Sequence, residues 1–242
     1  MTTTTVHLLR HGEVYNPRGI LYGRASGFKL SDRGLAMAER VAERIGDRDI
    51  THLVSSPLER AQQTAAPLGR ARGLTPVLDD RVIESTNVFE GRPFTVTKGL
   101  VLRPSVWRHL INPFRPSWGE PYGDVAARMW AAVEDARDAA AGHEAVIVSH
   151  QLPIWICRLH AEGRRFLHDP RRRQCTLCSL TSFTFDDDHV VTISYSEPAG
   201  DLIPAAQRHA TFSAGTGFQE PDDLAEQQGR QLGAEPDPDP DR

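Results

Sequence analysis

The fold of this chain is decided near its start, by the stretch Leu8-Leu9-Arg10-His11-Gly12-Glu13. The run from Val6 to Leu9 is short, apolar and contains a β-branched residue, which is the pattern of a buried strand. A cation, an imidazole and a glycine follow directly, and open α/β sheets bind ligands outside the carboxyl ends of their strands. The stretch therefore predicts an anion-binding turn, in which His11 is a base, a metal ligand, a nucleophile or only a turn residue.

Length and composition fit one sizeable domain. The chain has 242 residues, of which 39% are hydrophobic, and this is enough for a core of its own. The formal net charge is −4, but residues 220–242 hold eight acids and two arginines, a net −6 that leaves +2 for the rest. A nearly neutral body gives no electrostatic reason to expect a nucleic-acid partner.

The sequence also lacks signals for membrane insertion or export. No apolar run approaches the roughly 20 residues of a membrane-spanning helix, and Met1 to Thr5 lacks the charged start and apolar centre of a signal peptide. We therefore expect a cytoplasmic protein with no membrane partner.

The three cysteines, Cys157, Cys175 and Cys178, are an odd number, so we expect no disulfide framework. Cys175 and Cys178 have the C-x-x-C spacing of half a zinc site. Because no second pair of ligands follows at a suitable spacing, ordinary reduced thiols are the favoured interpretation and no structural metal is expected.

Strand and helix patterns alternate along the chain, which predicts a layered α/β fold. The predicted strands are centred on residues 6–9, 53–55, 74–78, 145–148, 180–185 and 190–195. The predicted helices lie at residues 35–45, 125–140 and 152–159, and a further helix begins at 57. Ser31 is the expected N-cap of the first helix. The sequence Ser56-Pro57-Leu58-Glu59 reads as a capping box with proline at the first helical position, which puts Arg60 in the first turn of the second helix.

Three groups that can bind anions follow predicted strands. Arg10 and His11 follow the first strand, His150 follows the strand at 145–148, and Arg60 lies just beyond the strand at 53–55. Because the carboxyl ends of parallel strands share one edge of a sheet, we expect these side chains to converge there. For Arg60 alone, an exposed helix arginine is the commoner role.

Other segments are less regular. Residues 92–123 contain prolines and the aromatic residues Trp107, Phe114 and Trp118, and they form either a lid over the site or a cover for one edge of the core. Five arginines around Pro170 (164, 165, 171, 172 and 173) either contact an anionic substrate or, as we favour, form a solvated loop. We place one domain at residues 1–200 and expect the acidic, proline-rich tail at 201–242 to be disordered.

Five short motifs follow one another in the first 150 residues. They are L-R-H-G-E at 9–13, Y-G-R at 22–24 followed by L-S-D-R-G at 30–34, S-S-P-L-E-R-A-Q-Q-T-A at 55–65, an acidic residue at 84 ahead of F-E-G at 89–91, and V-S-H at 148–150. Together they resemble the signature of the histidine phosphatase superfamily, the phosphoglycerate-mutase-like enzymes, and the resemblance covers residues 6 to about 195. It implies a three-layer α/β/α sandwich around a central, mostly parallel mixed sheet.

The resemblance also implies roles for individual residues. His11 is the nucleophile that becomes phosphohistidine, Arg10 and Arg60 hold phosphoryl oxygens, and His150 donates a hydrogen bond to the transferring group. Glu84 protonates the leaving oxygen and then activates water, with Glu90 as the alternative acid. Asn16, Gly23 and Gln151 are the substrate contacts it indicates more weakly. No metal or cofactor is implied, since cationic side chains neutralise the phosphate.

Two positions depart from the family pattern. Gln151 stands where a glycine usually follows the second histidine, and the loop between Glu84 and Glu90 is one residue short, with Asn87 near the usual glycine. The favoured function is a phosphatase acting on a small phosphorylated substrate, because long mutase insertions are not recognisable. A phosphoglycerate mutase and a non-catalytic phosphate-binding protein remain as alternatives.

Overall fold

The computed structural model describes residues 3–87, 90–91 and 119–204. In this part of the chain one sheet has the strand order β3-β2-β4-β1-β5-β6. Neighbours among the first four strands are parallel, whereas β5 is antiparallel to β1 and β6 is antiparallel to β5. The predicted α/β fold with a mostly parallel mixed sheet is confirmed. The strands are β1 (Thr3–Arg10), β2 (Ile50–Ser55), β3 (Val77–Leu78), β4 (Glu144–Ser149), β5 (Leu180–Asp186) and β6 (His189–Ser196).

Helices cover both faces of the sheet. Helices α1 (Asp32–Ile45) and α2 (Glu59–Arg72) pack on one face, and α3 (Tyr122–Ala139) and α4 (Gln151–Ala161) on the other. Successive residues of β4 point to opposite faces, so Ala145 and Ile147 join one core while Val146 and Val148 join the other. A strand that is buried on both faces is continuously apolar, which is the pattern the sequence shows at 145–148.

The two helix starts nearest the site differ in their capping. The Ser31 hydroxyl accepts a hydrogen bond from the Gly34 N–H at 3.0 Å, as expected of an N-cap. The capping-box prediction at Ser56 is wrong, because α2 begins at Glu59 with Leu58 as an N-cap that makes no side-chain bond. The Ser56 hydroxyl lies 2.8 Å from His150 Nε2 and accepts a longer hydrogen bond, 3.4 Å, from the Leu58 N–H. Arg60 nevertheless remains in the first turn of α2.

The third strand is shorter than predicted, since only Val77 and Leu78 pair with β2. At the other end of the chain, Ile203 is buried in the core after a short 3₁₀ turn at Gly200–Leu202. The folded body therefore continues a few residues past the predicted boundary at 200.

Most of the predicted insertion (92–118) and the remaining tail (205–242) lie outside the described residues. No helix in the described part is long and apolar enough to span a membrane.

A partly exposed group of ionisable side chains around Glu144, at the amino end of β4, leads to a prediction about stability. Glu144 Oε2 lies 2.9 Å from His7 Nε2 and 2.6 Å from Arg48 Nε. Burial alone would raise the pKa of Glu144, but the hydrogen bonds from His7 and Arg48 outweigh it and lower the pKa to about 2. We expect Glu144→Gln to lower the free energy of unfolding at pH 7 by about 1–2 kcal/mol, after allowing for solvent screening.

The pH dependence identifies this contribution. Because the folded-state pKa of Glu144 is depressed, its stabilisation is present above the ordinary value near 4.5 and is lost as pH falls through about 2. Urea unfolding should therefore show a difference between wild type and Glu144→Gln that shrinks below pH 4.5. Glu39→Gln, which removes an exposed ion pair with Arg70, serves as the control and should change stability little. A Glu144→Gln difference that stays constant down to pH 2 would contradict the assignment.

Candidate active site

His11 lies directly after β1 and is almost fully buried. Its Nδ1 is 2.8 Å from the Gly12 carbonyl oxygen. Because a carbonyl can only accept, Nδ1 carries the proton and Nε2 keeps its lone pair. Burial, and then the charges of Arg60 and Arg10, lower the pKa of His11 well below 6.5. The imidazole is therefore neutral at neutral pH, with Nε2 available as a nucleophile.

The turn after His11 is held by α2 and α1. The Gly12 N–H donates to Thr64 Oγ1 at 3.1 Å, and the Thr64 hydroxyl donates to the Arg60 carbonyl at 2.7 Å. A Cβ on Gly12 would lie 2.7 Å from the Gly34 carbonyl oxygen. Glycine is therefore required because the turn packs against the backbone of α1, and not only because it borders the site.

His150 follows β4, and its ring centroid lies 5.2 Å from that of His11. Arg60 Nη2 donates to His150 Nδ1 at 3.3 Å, so the ring proton of neutral His150 is on Nε2 and is directed to the Ser56 hydroxyl. Burial, followed by the charges of Arg60 and His11, lowers the pKa of His150 well below 6.5. Two neutral imidazoles therefore face each other at the same edge of the sheet.

Arg60 is 1% exposed, so the exposed-helix interpretation is wrong. Its Nη2 donates to the Gly23 carbonyl at 2.6 Å, and its guanidinium lies 4.7 Å from the centroid of the Tyr22 ring. Among the described residues it forms no salt bridge, and its buried Nε has no hydrogen-bond partner. A buried cation without a carboxylate partner is unfavourable, and a bound anion would remove that penalty.

Arg10, at the end of β1, is also buried. Its Nη1 donates to the Cys175 carbonyl at 2.7 Å, and Gln151 Nε2 reaches the same oxygen at 3.3 Å. The Gln151 side chain thus contacts the loop before β5. The glycine that is usual at this position in the family has no side chain and could not make this contact. The strand-end prediction is correct in that Arg10, His11, Arg60 and His150 come together at one edge.

Glu84 lies in a loop whose backbone is fixed by two arginines. Arg24 Nε donates to the Glu84 carbonyl at 2.5 Å, and Arg128 Nη1 donates to the Ile83 carbonyl at 2.8 Å. Both arginines also bind the Glu120 carboxylate, at 2.8–3.0 Å. The Glu84 side chain accepts from the Ser85 N–H at 2.8 Å.

Burial raises the pKa of the Glu84 carboxyl, and the Ser85 N–H and the charges of Arg60 and Arg10 oppose that rise. The positive charges of Arg60 and Arg10 therefore both act on the Glu84 carboxyl. A carboxyl that keeps its proton to higher pH suits a general acid.

Asn16 and Gly23, which the sequence indicates more weakly as substrate contacts, make close contacts with neighbouring residues of the protein. The Asn16 side chain bonds both the Ile20 carbonyl and the Ile20 N–H, at 2.8 and 3.0 Å, and so shapes its own loop. Gly23 has φ +41, and a Cβ there would overlap the Glu90 carboxylate. Glu90 Oε1 accepts from the Arg24 N–H at 2.9 Å. Glu90 therefore supports the loop that supplies the carbonyl bound by Arg60.

Three residues that contact the site, Ser56, Tyr22 and Thr64, are not predicted from the sequence. All three lie inside the quoted motifs, but local patterns assigned Ser56 to a helix cap and gave no partner for the other two. Their contacts join residues from different strands and loops, which no periodic pattern reports.

Comparison with known proteins agrees with this geometry. The family model of the histidine phosphatase superfamily (branch 1) matches residues 6–197. An uncharacterized protein of Mycobacterium tuberculosis, Rv0525, is 55% identical over 196 residues, which are 81% of this chain and 97% of that protein. A probable phosphoglycerate mutase, GpmB, of Yersinia pestis is 32% identical over 203 residues, covering 81% of this chain and 92% of its own.

Solved structures share the fold. A mycobacterial glucosyl-3-phosphoglycerate phosphatase superposes with a TM-score of 0.64 at 24% identity, covering 80% of this chain and 96% of that chain. A phosphoserine phosphatase of Entamoeba histolytica, solved with phosphoserine, gives a TM-score of 0.66 at 24% identity over 81% of this chain and 98% of that chain. At these identities the likeness supports the three-layer fold alone.

Proposed function

The chain belongs to the histidine phosphatase superfamily, and on that premise we propose that it is a metal-independent phosphomonoester hydrolase acting through a phosphohistidine on His11. The observation that carries the proposal is the state of His11, which is buried, neutral and protonated on Nδ1. Its Nε2 lone pair is held beside two buried guanidinium groups. This arrangement suits attack on a phosphorus atom whose oxygens are held by cations.

In the first step the substrate phosphate binds between Arg10 and Arg60. The His11 Nε2 lone pair forms the N–P bond while the P–O ester bond breaks, and Glu84 gives its proton to the leaving oxygen. His150 would donate its Nε2–H to a phosphoryl oxygen in place of the Ser56 hydroxyl. The negative charge spread over the transferring group is stabilised by these donors and cations.

In the second step water attacks the phosphohistidine. The Glu84 carboxylate takes the proton of the attacking water, the N–P bond breaks, and inorganic phosphate leaves with His11 restored. Splitting one displacement into two in-line steps is the general advantage of a covalent intermediate. The charges of Arg10 and Arg60 balance a phosphate dianion, so this step needs no metal.

A phosphoglycerate mutase is the second candidate, because the Yersinia pestis relative carries that name. The two activities differ only in the acceptor of the phosphoryl group, which is water in one and a substrate hydroxyl in the other. The same residues serve both reactions.

An assay of EDTA-treated protein on p-nitrophenyl phosphate and on 3-phosphoglycerate separates them. We expect wild type to release inorganic phosphate and His11→Ala to release none. Interconversion of phosphoglycerates with little hydrolysis would establish the mutase instead. Phosphate binding without either reaction, over a panel of phosphomonoesters, would support the binding-protein alternative.

A further inference from the structure

The basic cluster in the loop between α4 and β5 is not uniform. Arg164, Arg165 and Arg172 are exposed, as the solvated-loop interpretation requires. Arg173 is 8% exposed and departs from it. A buried guanidinium requires a reason, because desolvating a cation is unfavourable unless it is partnered.

Arg173 is held in place by His168. Its Nε–H donates to His168 Nε2 at 2.8 Å, while His168 Nδ1 donates to the Phe166 carbonyl at 2.6 Å. The His168 ring lies 5.8 Å from the Tyr122 ring and 6.0 Å from the Trp155 ring, measured between centroids. The Nε of Arg173 is therefore occupied by a hydrogen bond to His168. Its terminal nitrogens, Nη1 and Nη2, make no hydrogen bond to any residue that the structure describes.

The same loop reaches the active site. Cys175, two residues after Arg173, accepts the hydrogen bond from Arg10 through its carbonyl. The charges of Glu84 and Arg10 both act on the Arg173 guanidinium, and Arg173 in turn acts on Glu84. Arg173 therefore lies two residues from a carbonyl that Arg10 binds, and its charge acts on Glu84, the proposed acid.

Three guanidinium groups act on or next to the proposed site, and two of them are assigned to the phosphate. With Glu84 protonated and both histidines neutral, Arg10, Arg60 and Arg173 carry three positive charges. A phosphate dianion neutralises two of them. The Arg173 guanidinium is not assigned to the phosphate, so it is the cation available to another group of the substrate.

We propose that Arg173 forms a subsite for a second anionic group on the substrate, a carboxylate or a further phosphate. The planar fork of a guanidinium binds either group with two hydrogen bonds. The proposal rests on the proposed hydrolase function and narrows its substrates to phosphomonoesters that carry another anion.

Binding to the His11→Ala protein tests the subsite without turnover. Two substrate pairs differ mainly by one anion: 3-phosphoglycerate against glycerol 3-phosphate, and fructose 1,6-bisphosphate against fructose 6-phosphate. By isothermal titration we expect the member with two anionic groups in at least one pair to bind about tenfold more tightly or better than its partner. Which pair shows the preference tells whether the second group is a carboxylate or a phosphate.

Variants of Arg173 test whether this residue causes the tighter binding of ligands with two anionic groups. Adding Arg173→Gln to the His11→Ala protein should reduce the preference to about threefold or less, and Arg173→Lys should keep part of it because the charge remains. Arg172→Gln, at the exposed neighbour, is the matched control and should keep all of it. Thermal unfolding of each variant separates lost binding from lost folding, and Arg173→Lys carries the test if the glutamine variant does not fold.

Two results would overturn the subsite. One is equal or absent binding of both members of both pairs by the His11→Ala protein. The other is a loss of affinity in the Arg173→Gln variant that is as large for glycerol 3-phosphate as for 3-phosphoglycerate. Failure of the hydrolase proposal looks different, because wild type would then bind the doubly anionic ligand preferentially and release no phosphate from it.

Discussion

Replacing His11 by alanine is expected to abolish turnover of every phosphomonoester, with a fall in kcat of at least about 10⁴-fold. The reason is that no other neutral, buried nitrogen in the described site holds a lone pair beside both phosphate-binding arginines. His150 directs its lone pair to Arg60 and its proton to Ser56. It therefore cannot replace His11 without rearranging both contacts.

Phosphate binding gives the internal control for this variant. Arg10 and Arg60 keep their positions through the Cys175 and Gly23 carbonyls, so the affinity of His11→Ala for inorganic phosphate should stay within about tenfold of wild type. His189→Ala removes an exposed histidine at the start of β6 and should leave kcat unchanged. Activity of His11→Ala within about tenfold of wild type would remove the nucleophile assignment.

Replacing Glu84 by glutamine is expected to slow the two half-reactions unequally. With p-nitrophenyl phosphate the leaving group needs little protonation, so His11 should still be phosphorylated. Hydrolysis of the phosphohistidine needs the carboxylate to activate water, and it should slow by about 10²–10⁴-fold. Rapid mixing should therefore show a burst of p-nitrophenol equal to the enzyme concentration, followed by slow turnover.

The pH profile gives a second signature of Glu84. For alkyl phosphates the first step needs the protonated acid, so kcat should fall as pH rises through the raised pKa of Glu84. On the acid side, the lowered pKa of His11 keeps the nucleophile available below pH 6.5. Glu84→Gln should lack the alkaline limb.

Glu90→Gln is the matched variant for the acid assignment, since Glu90 supports the Gly23–Arg24 backbone and contacts the same region. It should keep the alkaline limb and show no burst. If the burst appears with Glu90→Gln and not with Glu84→Gln, the acid role belongs to Glu90.

Much of the site follows from the sequence for a simple geometric reason. A parallel sheet brings the ends of β1, β2 and β4 to one edge, so residues placed just beyond those strands must meet. That reasoning predicts the meeting of Arg10, His11 and His150. It also places Arg60, although the capping box used to place it is wrong.

Other features could not be read from local pattern. The local pattern assigns the Ser56 hydroxyl to a helix cap, whereas the fold places it 2.8 Å from His150 Nε2, with the Leu58 N–H as a longer donor at 3.4 Å. Arg173 belongs to a run of arginines whose neighbours are exposed, so composition alone favours a solvated loop. Its Nε–H donates to His168, five residues earlier, and the His168 ring in turn lies near the rings of Tyr122 and Trp155.

The proposed mechanism requires a phosphoryl group on His11, and this intermediate can be trapped. Glu84→Gln protein would be mixed with p-nitrophenyl phosphate in EDTA, quenched in base to preserve phosphohistidine, digested and analysed by mass spectrometry. We expect one phosphoryl group on the peptide that contains His11, and none when His11 is also replaced by alanine. A phosphoryl group on another residue, or turnover with no phosphoenzyme at any quench time, would contradict it.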